Sequence, residues 1–405
     1  MLLSLVAAAT LLPQAQASPP ANPDAAKKEA EAFELFLKKW QEEHKQTLDP
    51  KHLAELKRDA EMGREYSAQV EKELKLSKDQ ELIDRLQRVA DNVVRVANAS
   101  AAKALWGDGR LNPFDYRFKV VEGKDINAFS LPGGYIYVYE GLLKYVESDD
   151  ELAGVLAHEV SHAGFRHLAT LLKEQSRFDL WSLPLVLVSL LSGSDAGGHV
   201  LLAKDLVNQV GRSGWSQKAE HAADFGAFQY LRGTSYNPVG LLTFMERLAR
   251  DQRGLEAIDW GIFRTHPPSR DRADVLTAYL GEAEIPIRRS EVSTSFRAIA
   301  KPVESGGVEI VFNGRKIVRL AGNDAAERAE SAIGELNAFF DQVPELFEVQ
   351  VQPGGAVVGR KKTLFRITEA DAGAEKTTLE ELAQETQRAL KRSLFMLGYR
   401  VWDTR

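Results

Sequence analysis

Cysteine is absent from the 405 residues. Its absence excludes thiol catalysis, Cys-ligated zinc, iron–sulfur clusters and disulfide frameworks. It leaves the redox compartment open. A surplus of either charge is also missing: 52 basic residues face 58 acidic ones, for a net charge of −6. A dedicated nucleic-acid binder needs a basic face, so no nucleic-acid partner is expected. No apolar run reaches the ~20 residues of a bilayer-spanning helix. The best candidate, residues 183–191, is interrupted by Pro184 and Ser189. It reads as a buried helix or as a segment dipping into a membrane surface, so at most peripheral membrane contact is expected. What is present is globular: 44% hydrophobic and 27% charged residues exclude collagen-like and wholly disordered chains. The length suggests two or three domains.

Residues 2–12 are almost all apolar or small, and Ala15-Gln16-Ala17 precedes Ser18-Pro19-Pro20. An apolar run ending in A-x-A before a Pro-rich break reads as a secretory signal peptide over residues 1–17. It departs from the pattern in one respect: no Lys or Arg precedes the run. With no cysteine after it, no lipid anchor is available, and an exported, periplasmic protein is expected.

Residues 18–57 read as an N-terminal helical extension, with Phe33, Phe36, Leu37 and Trp40 at helical spacing and a break near Asp49-Pro50. Leu82, Leu86, Val89, Val93 and Val96 repeat that spacing. Tyr116, Phe118 and Val120 alternate with Arg117 and Lys119, which predicts a half-buried strand. Asn127-Ala128-Phe129, the turn Pro132-Gly133-Gly134 and an aromatic strand over 135–139 follow. Ser148 and Glu151 form a capping box that announces a helix from about 149 to 173. Further helices are predicted over 216–231, 238–252 and 269–280. Past Pro286 the pattern becomes hairpin then helix, twice: 308–320 around Asn313-Gly314, then a helix over 324–340; strands over 347–351 and 362–367, then a helix over 378–395. Gly314-Arg315-Lys316 and Gly359-Arg360-Lys361 fall at matching places, suggesting a duplication. The expected fold class is α+β: a mostly helical domain with a small sheet over 58–285, and a C-terminal α+β domain over 286–405.

The chemistry concentrates in His158-Glu159-Val160-Ser161-His162. At 3.6 residues per turn, His158 and His162 share one helix face and can reach one metal ion. Glu159 lies about 100° around, placed to act on a metal-bound water. Six of the eight histidines fall between His158 and His266. A catalytic zinc of this kind needs a third protein ligand and an open position. Glu220 and Asp224, one turn apart on another predicted helix, offer the ligand and a carboxylate to orient a ligand imidazole. His167 is out of phase with His158 on a continuous helix, and His221 points away from Glu220. Both read as groups standing behind the ligands or at the surface, and His199 stays unassigned.

The chain resembles peptidase family M48, a gluzincin family, through four motifs in order. These are Asn127-Ala128-Phe129 with Pro132-Gly133-Gly134; Ala157 through His162, extended to Arg166-His167; Glu220 through Asp224; and Thr265-His266-Pro267 with Arg272. The match spans roughly residues 60–280. The resemblance implies a zincin-like fold for residues 58–285 and a Zn²⁺ ion, one per chain, held by His158, His162 and Glu220. It implies Glu159 as general base and then proton donor. His266 would stabilise the oxyanion or close the zinc's open position, and Asp224 and Arg272 would support the ligands. Implied substrates are unfolded or misassembled envelope proteins, with outer-membrane assembly machinery as a partner, in protein quality control.

A protease must hold an extended chain against its metal, and an exposed strand edge does so through main-chain hydrogen bonds. Asn127, Ala128, Gly133, Gly134 and Tyr135, with the 135–139 strand supplying the edge, are the candidates. A rival reading is a chaperone or adaptor that binds unfolded chains with little hydrolysis. An aminopeptidase would need an acidic group for the free amine, and no motif supplies one. The C-terminal region shows no 34-residue helical repeat; substrate or partner binding is expected of it.

Overall fold

The computed structural model describes residues 23–174, 215–254 and 270–397. The expected signal peptide, the apolar run over 183–191, His199 and the Thr265-His266-Pro267 segment lie outside these. Helices α1 (Pro23–His44), α2 (Pro50–Glu73) and α3 (Gln80–Ala97) come first. The break before α2 is built as expected: Asp49 caps the helix by accepting from the Lys51 and His52 amides, and Pro50 occupies its first turn. Helix α2 then runs unbroken through residues 57 and 58, where a boundary was expected.

Strands β1 (Arg117–Val121), β2 (Ala128–Leu131) and β3 (Tyr135–Tyr139) form one sheet in the order β1-β3-β2. Strand β3 is parallel to β1 and antiparallel to β2. Its five residues are all buried because both faces are covered. Ile136 and Val138 join the core around helix α5, while Tyr135, Tyr137 and Tyr139 pack with Tyr66 and Val70 of α2. The turn Pro132-Gly133-Gly134 between β2 and β3 is seated against α2. Gly133 has φ +71°, and a Cβ there would stand 2.6 Å from Ala60 Cα, so only glycine fits.

After α4 (Glu140–Tyr145), helix α5 (Asp149–Gly164) runs through the core. Ser148 Oγ accepts from the Glu151 amide at 3.1 Å. The Glu151 carboxylate reaches back to the Glu147 amide at 2.8 Å, one residue beyond the Ser148 amide that a full capping box uses. From Glu151 to Gly164 every residue except His162 is buried, as expected of a helix enclosed on all sides. Its neighbours are α3, the sheet, α7 (Trp215–Leu231) and α8 (Val239–Gly254). The predicted helix to residue 173 is in fact two. Helix α5 stops at Gly164, Arg166 turns the chain at φ +53°, and α6 (His167–Glu174) starts in a new direction. That conformation is costly for arginine. It is held by carboxylates: Arg166 donates from Nη1 to Asp108 at 2.9 Å and from Nη2 to Asp59 at 3.2 Å.

Helices α9 (Arg270–Glu282) and α10 (Arg289–Val292) lead into a second core that begins at Phe296. Strands β4 (Ala298–Pro302), β5 (Val308–Phe312) and β6 (Arg315–Leu320) form an antiparallel meander followed by helix α11 (Ala325–Phe340). Strands β7 (Val349–Gln352), β8 (Ala356–Gly359) and β9 (Lys362–Arg366) form another, followed by α12 (Glu369–Ala374) and α13 (Leu379–Leu397). The two meanders correspond in a register other than the one expected. Gly314 lies in the β5–β6 turn, whereas Gly359 ends β8. The structural counterpart of Asn313-Gly314 is Arg360-Lys361, with φ values of 49° and 68° against 47° and 71°.

Candidate metal centre

His158 and His162 project from α5 one turn apart, and Glu220 meets them from α7. The imidazole Nε2 atoms stand 3.1 Å apart. The Glu220 carboxylate oxygens lie 3.4 Å from each of them. These three groups form the potential metal cluster found among the described residues. A tetrahedral zinc with ligands at ~2.0–2.1 Å has ligand–ligand edges of about 3.3 Å. The spacing of the two Nε2 atoms, and of each from its own Glu220 oxygen (Oε2 for His158, Oε1 for His162), is close to that edge length.

The charges fit a dication too. Glu159, Glu220 and Asp224 are 1%, 4% and 0% exposed. One buried guanidinium, Arg272 of α9, faces all three. With the imidazoles neutral, as ligands must be, these described side chains bring three carboxylates to one guanidinium, a balance that suits a bound dication.

The supporting groups are in place. His158 Nδ1 lies 2.9 Å from Asp224 Oδ1. Burial opposes a charge on His158, but the Asp224 and Glu220 carboxylates outweigh it and push the imidazole up to about 9. Burial likewise opposes the Asp224 carboxylate, and Arg272 outweighs it, holding Asp224 down at about 2. Arg272 donates from Nε and Nη2 to the two Asp224 oxygens at 2.7 and 2.8 Å. Its Nη1 lies 2.9 Å from Glu220. Arg272 thus braces a candidate ligand and the carboxylate behind another.

Of the two readings expected for His167, the structure takes the one behind a ligand rather than the surface one. It is 4% exposed, and its Nδ1 lies 2.9 Å from Nδ1 of His162. It is not among the three clustered donors, and it reaches His162 because the helix breaks at residues 165–166. Burial first, then the neighbouring His162, push the His167 ring well below the usual histidine range. His221 is half-buried and takes no part in the cluster. His266 lies outside the described residues.

The expected substrate-binding residues divide. Strand β3, which includes Tyr135, is the central strand and is paired along both edges, so it cannot offer the free edge expected of it. Gly133 and Gly134 are buried in the turn against α2 and the β1 approach. Ala128 opens β2, which is an outer strand and packs on α5. Asn127, just before it, is fully buried. Both polar atoms of its side-chain amide lack a hydrogen-bond partner among the described residues.

Comparison with known proteins agrees with this geometry. The family model described as Peptidase family M48 matches residues 81–280. A domain of unknown function (DUF8459) matches residues 309–395. The chain is 31% identical over 160 residues to the beta-barrel assembly-enhancing protease of Escherichia coli (strain K12), covering 39% of this chain and 33% of that one. It is 30% identical over 176 residues to metalloprotease LoiP of the same strain, covering 42% and 65%. It is 30% identical over 208 residues to mitochondrial metalloendopeptidase OMA1 of Arabidopsis thaliana, covering 50% and 38%. The first of these matches spans about a third of the relative's length.

Proposed function

Because residues 81–280 belong to peptidase family M48, we propose that this chain is a zinc-dependent endopeptidase acting on envelope proteins. The observation that carries the reading is the convergence of His158, His162 and Glu220, whose donor atoms lie within 4.8 Å of one another, with Glu159 on the helix of the two histidines. His158, His162 and Glu220 would hold the ion. A zinc ion bound there supplies an acidified water and polarises a substrate carbonyl. The Glu159 carboxylate takes the proton of the attacking water and returns it to the leaving amine. His266 would stabilise the oxyanion or close the metal's open position.

The polypeptide is held at the outer edge of β2 rather than on β3, by main-chain hydrogen bonds. Misfolded or misassembled envelope proteins are the proposed substrates, with the outer-membrane assembly machinery as partner. The similarity to the beta-barrel assembly-enhancing protease supports the link to beta-barrel assembly. A periplasmic location fits that substrate class, and among the described residues no helix is long and apolar enough to cross a membrane.

Casein degradation and zinc content of the full chain test the reading. Wild type should degrade casein with one zinc per chain, and Glu159→Gln should keep the zinc and lose the activity. Equal degradation by both would defeat the mechanism. No degradation by either, with suppression of aggregation by both, would favour the chaperone or adaptor.

A further inference from the structure

We propose that His167 is the positioning residue for His162: it accepts a hydrogen bond at Nδ1 and so holds the His162 ring with Nε2 toward the metal. The inference rests on reading His158, His162 and Glu220 as ligands. His162 Nε2 is the atom that faces His158 and Glu220. A ligating nitrogen carries no proton, so the proton of neutral His162 sits on Nδ1. That Nδ1 lies 2.9 Å from His167 Nδ1, which must then be the acceptor. The proton of His167 is left on Nε2, and there it finds the Trp106 carbonyl at 3.2 Å. A carbonyl only accepts, so the relay has one consistent direction: His162 to His167 to the Trp106 carbonyl. His158 is set by the Asp224 carboxylate, whereas His162 is set by a neutral imidazole anchored on the main chain.

The seat of this ring is built as tightly as the centre itself. The left-handed turn at Arg166 is what brings His167 back against His162. Gly107, at φ +93°, closes over the ring: a Cβ there would stand 2.8 Å from His167 Cδ2 and 2.5 Å from the Phe165 carbonyl oxygen. The Trp106 ring lies 5.1 Å from the His167 ring, centroid to centroid. A histidine required only to fill space would not need both nitrogens within reach of one directed chain.

The test uses the full chain and Zn²⁺, with competition against a chromophoric chelator. Asparagine places an acceptor oxygen where His167 Nδ1 sits; leucine fills similar space with none. His167→Leu should bind zinc about 10- to 100-fold more weakly, as loss of a group behind a ligand typically does, and His167→Asn should stay within about threefold of wild type. The visible spectrum of the Co²⁺ form should shift in the leucine variant only. Binding by His167→Leu equal to wild type would overturn the proposal, as would equal losses in both variants, which indicate packing. Should His167→Leu fail to fold, ¹⁵N NMR of the zinc-loaded Glu159→Gln chain decides: protons on His162 Nδ1 and His167 Nε2 support the proposal, and the reverse arrangement sinks it. A wild-type chain that binds no zinc would instead remove the reading of the centre.

Discussion

Arg272 and Asp224 are joined through two parallel hydrogen bonds, Nε to Oδ2 at 2.7 Å and Nη2 to Oδ1 at 2.8 Å, with both side chains buried. The pair links α9 to α7 behind the candidate ligands, and Arg272 also touches Glu220. Charge and geometry act together here: the guanidinium keeps Asp224 ionised, and Asp224 in turn lies against His158. Protein stability and the shape of the centre therefore share one residue.

Replacing Arg272 should show both effects. Arg272→Ala leaves Asp224 and Glu220 buried without their cation and should cost about 3–5 kcal/mol of stability. Arg272→Lys keeps the charge but loses the planar fork, so it should lose zinc affinity while retaining more of the stability. Urea denaturation and chelator competition on the same preparations separate the two. Wild-type stability in Arg272→Ala would contradict this account.

A second buried carboxylate gives a pH prediction. Asp371 accepts from Arg328 at 2.7 and 2.8 Å and from the Ala321 and Thr368 amides at 2.6 and 2.8 Å. Burial opposes its charge, but Arg328 and the amides outweigh that and hold its pKa below the usual value. A depressed carboxylate contributes stability that is fully present above its unfolded pKa of about 4 and is lost as pH falls through the folded value. Acidification below about pH 4 should therefore loosen the second core. Asp371→Asn should be less stable than wild type at pH 7, and the gap should narrow below pH 4. Urea midpoints at pH 7 and pH 3.5 measure it; a gap that stays constant would exclude Asp371 as a source of the acid sensitivity.

The metal cluster was legible because it rests on local spacing: His158, His162, Glu220 and Asp224 follow from helical geometry within two helices. The larger helices and the α+β class were legible for the same reason. What the sequence hid was set by tertiary contact. The break after Gly164 depends on Asp59 and Asp108, which lie far away in the chain. The central place of β3 depends on β1 crossing to pair with it in parallel. The 135–139 strand was expected to offer an exposed edge, whereas β1 and β2 pair along both of its edges. Strand β8 has only four residues and sits between turn residues, too short for a periodic signal.

The β8–β9 turn carries a local misfit that can be relieved. Arg360 and Lys361 both adopt positive φ, where the equivalent turn uses Asn313-Gly314. The Arg360 side chain is engaged, with Nε donating to Glu348 at 2.7 Å. Lys361 is exposed. A lysine in left-handed geometry costs about 1–2 kcal/mol relative to glycine, less the extra freedom glycine has when unfolded. Lys361→Gly should raise stability by roughly 1 kcal/mol, read as a higher melting temperature. A lower one would mean that the lysine side chain contributes more than its backbone costs.

Asn127 offers the sharpest separation of binding from folding. Its amide is fully buried with neither polar atom partnered among the described residues, so in the substrate-free chain it gives little to stability. If it pairs with the main chain of a bound peptide, Asn127→Ala should leave the melting temperature unchanged or raised. In the same variant kcat/KM should fall about tenfold, the scale of one or two hydrogen bonds. Asn127→Asp tests the pairing further: an ionised carboxylate only accepts, so the donor contact to a peptide carbonyl is lost and activity should fall below that of alanine. Casein and short peptides of increasing length provide the readout, since a strand-edge contact should matter more as the peptide extends along β2. Unchanged kcat/KM in Asn127→Ala, together with a drop in stability, would assign the residue to the fold instead.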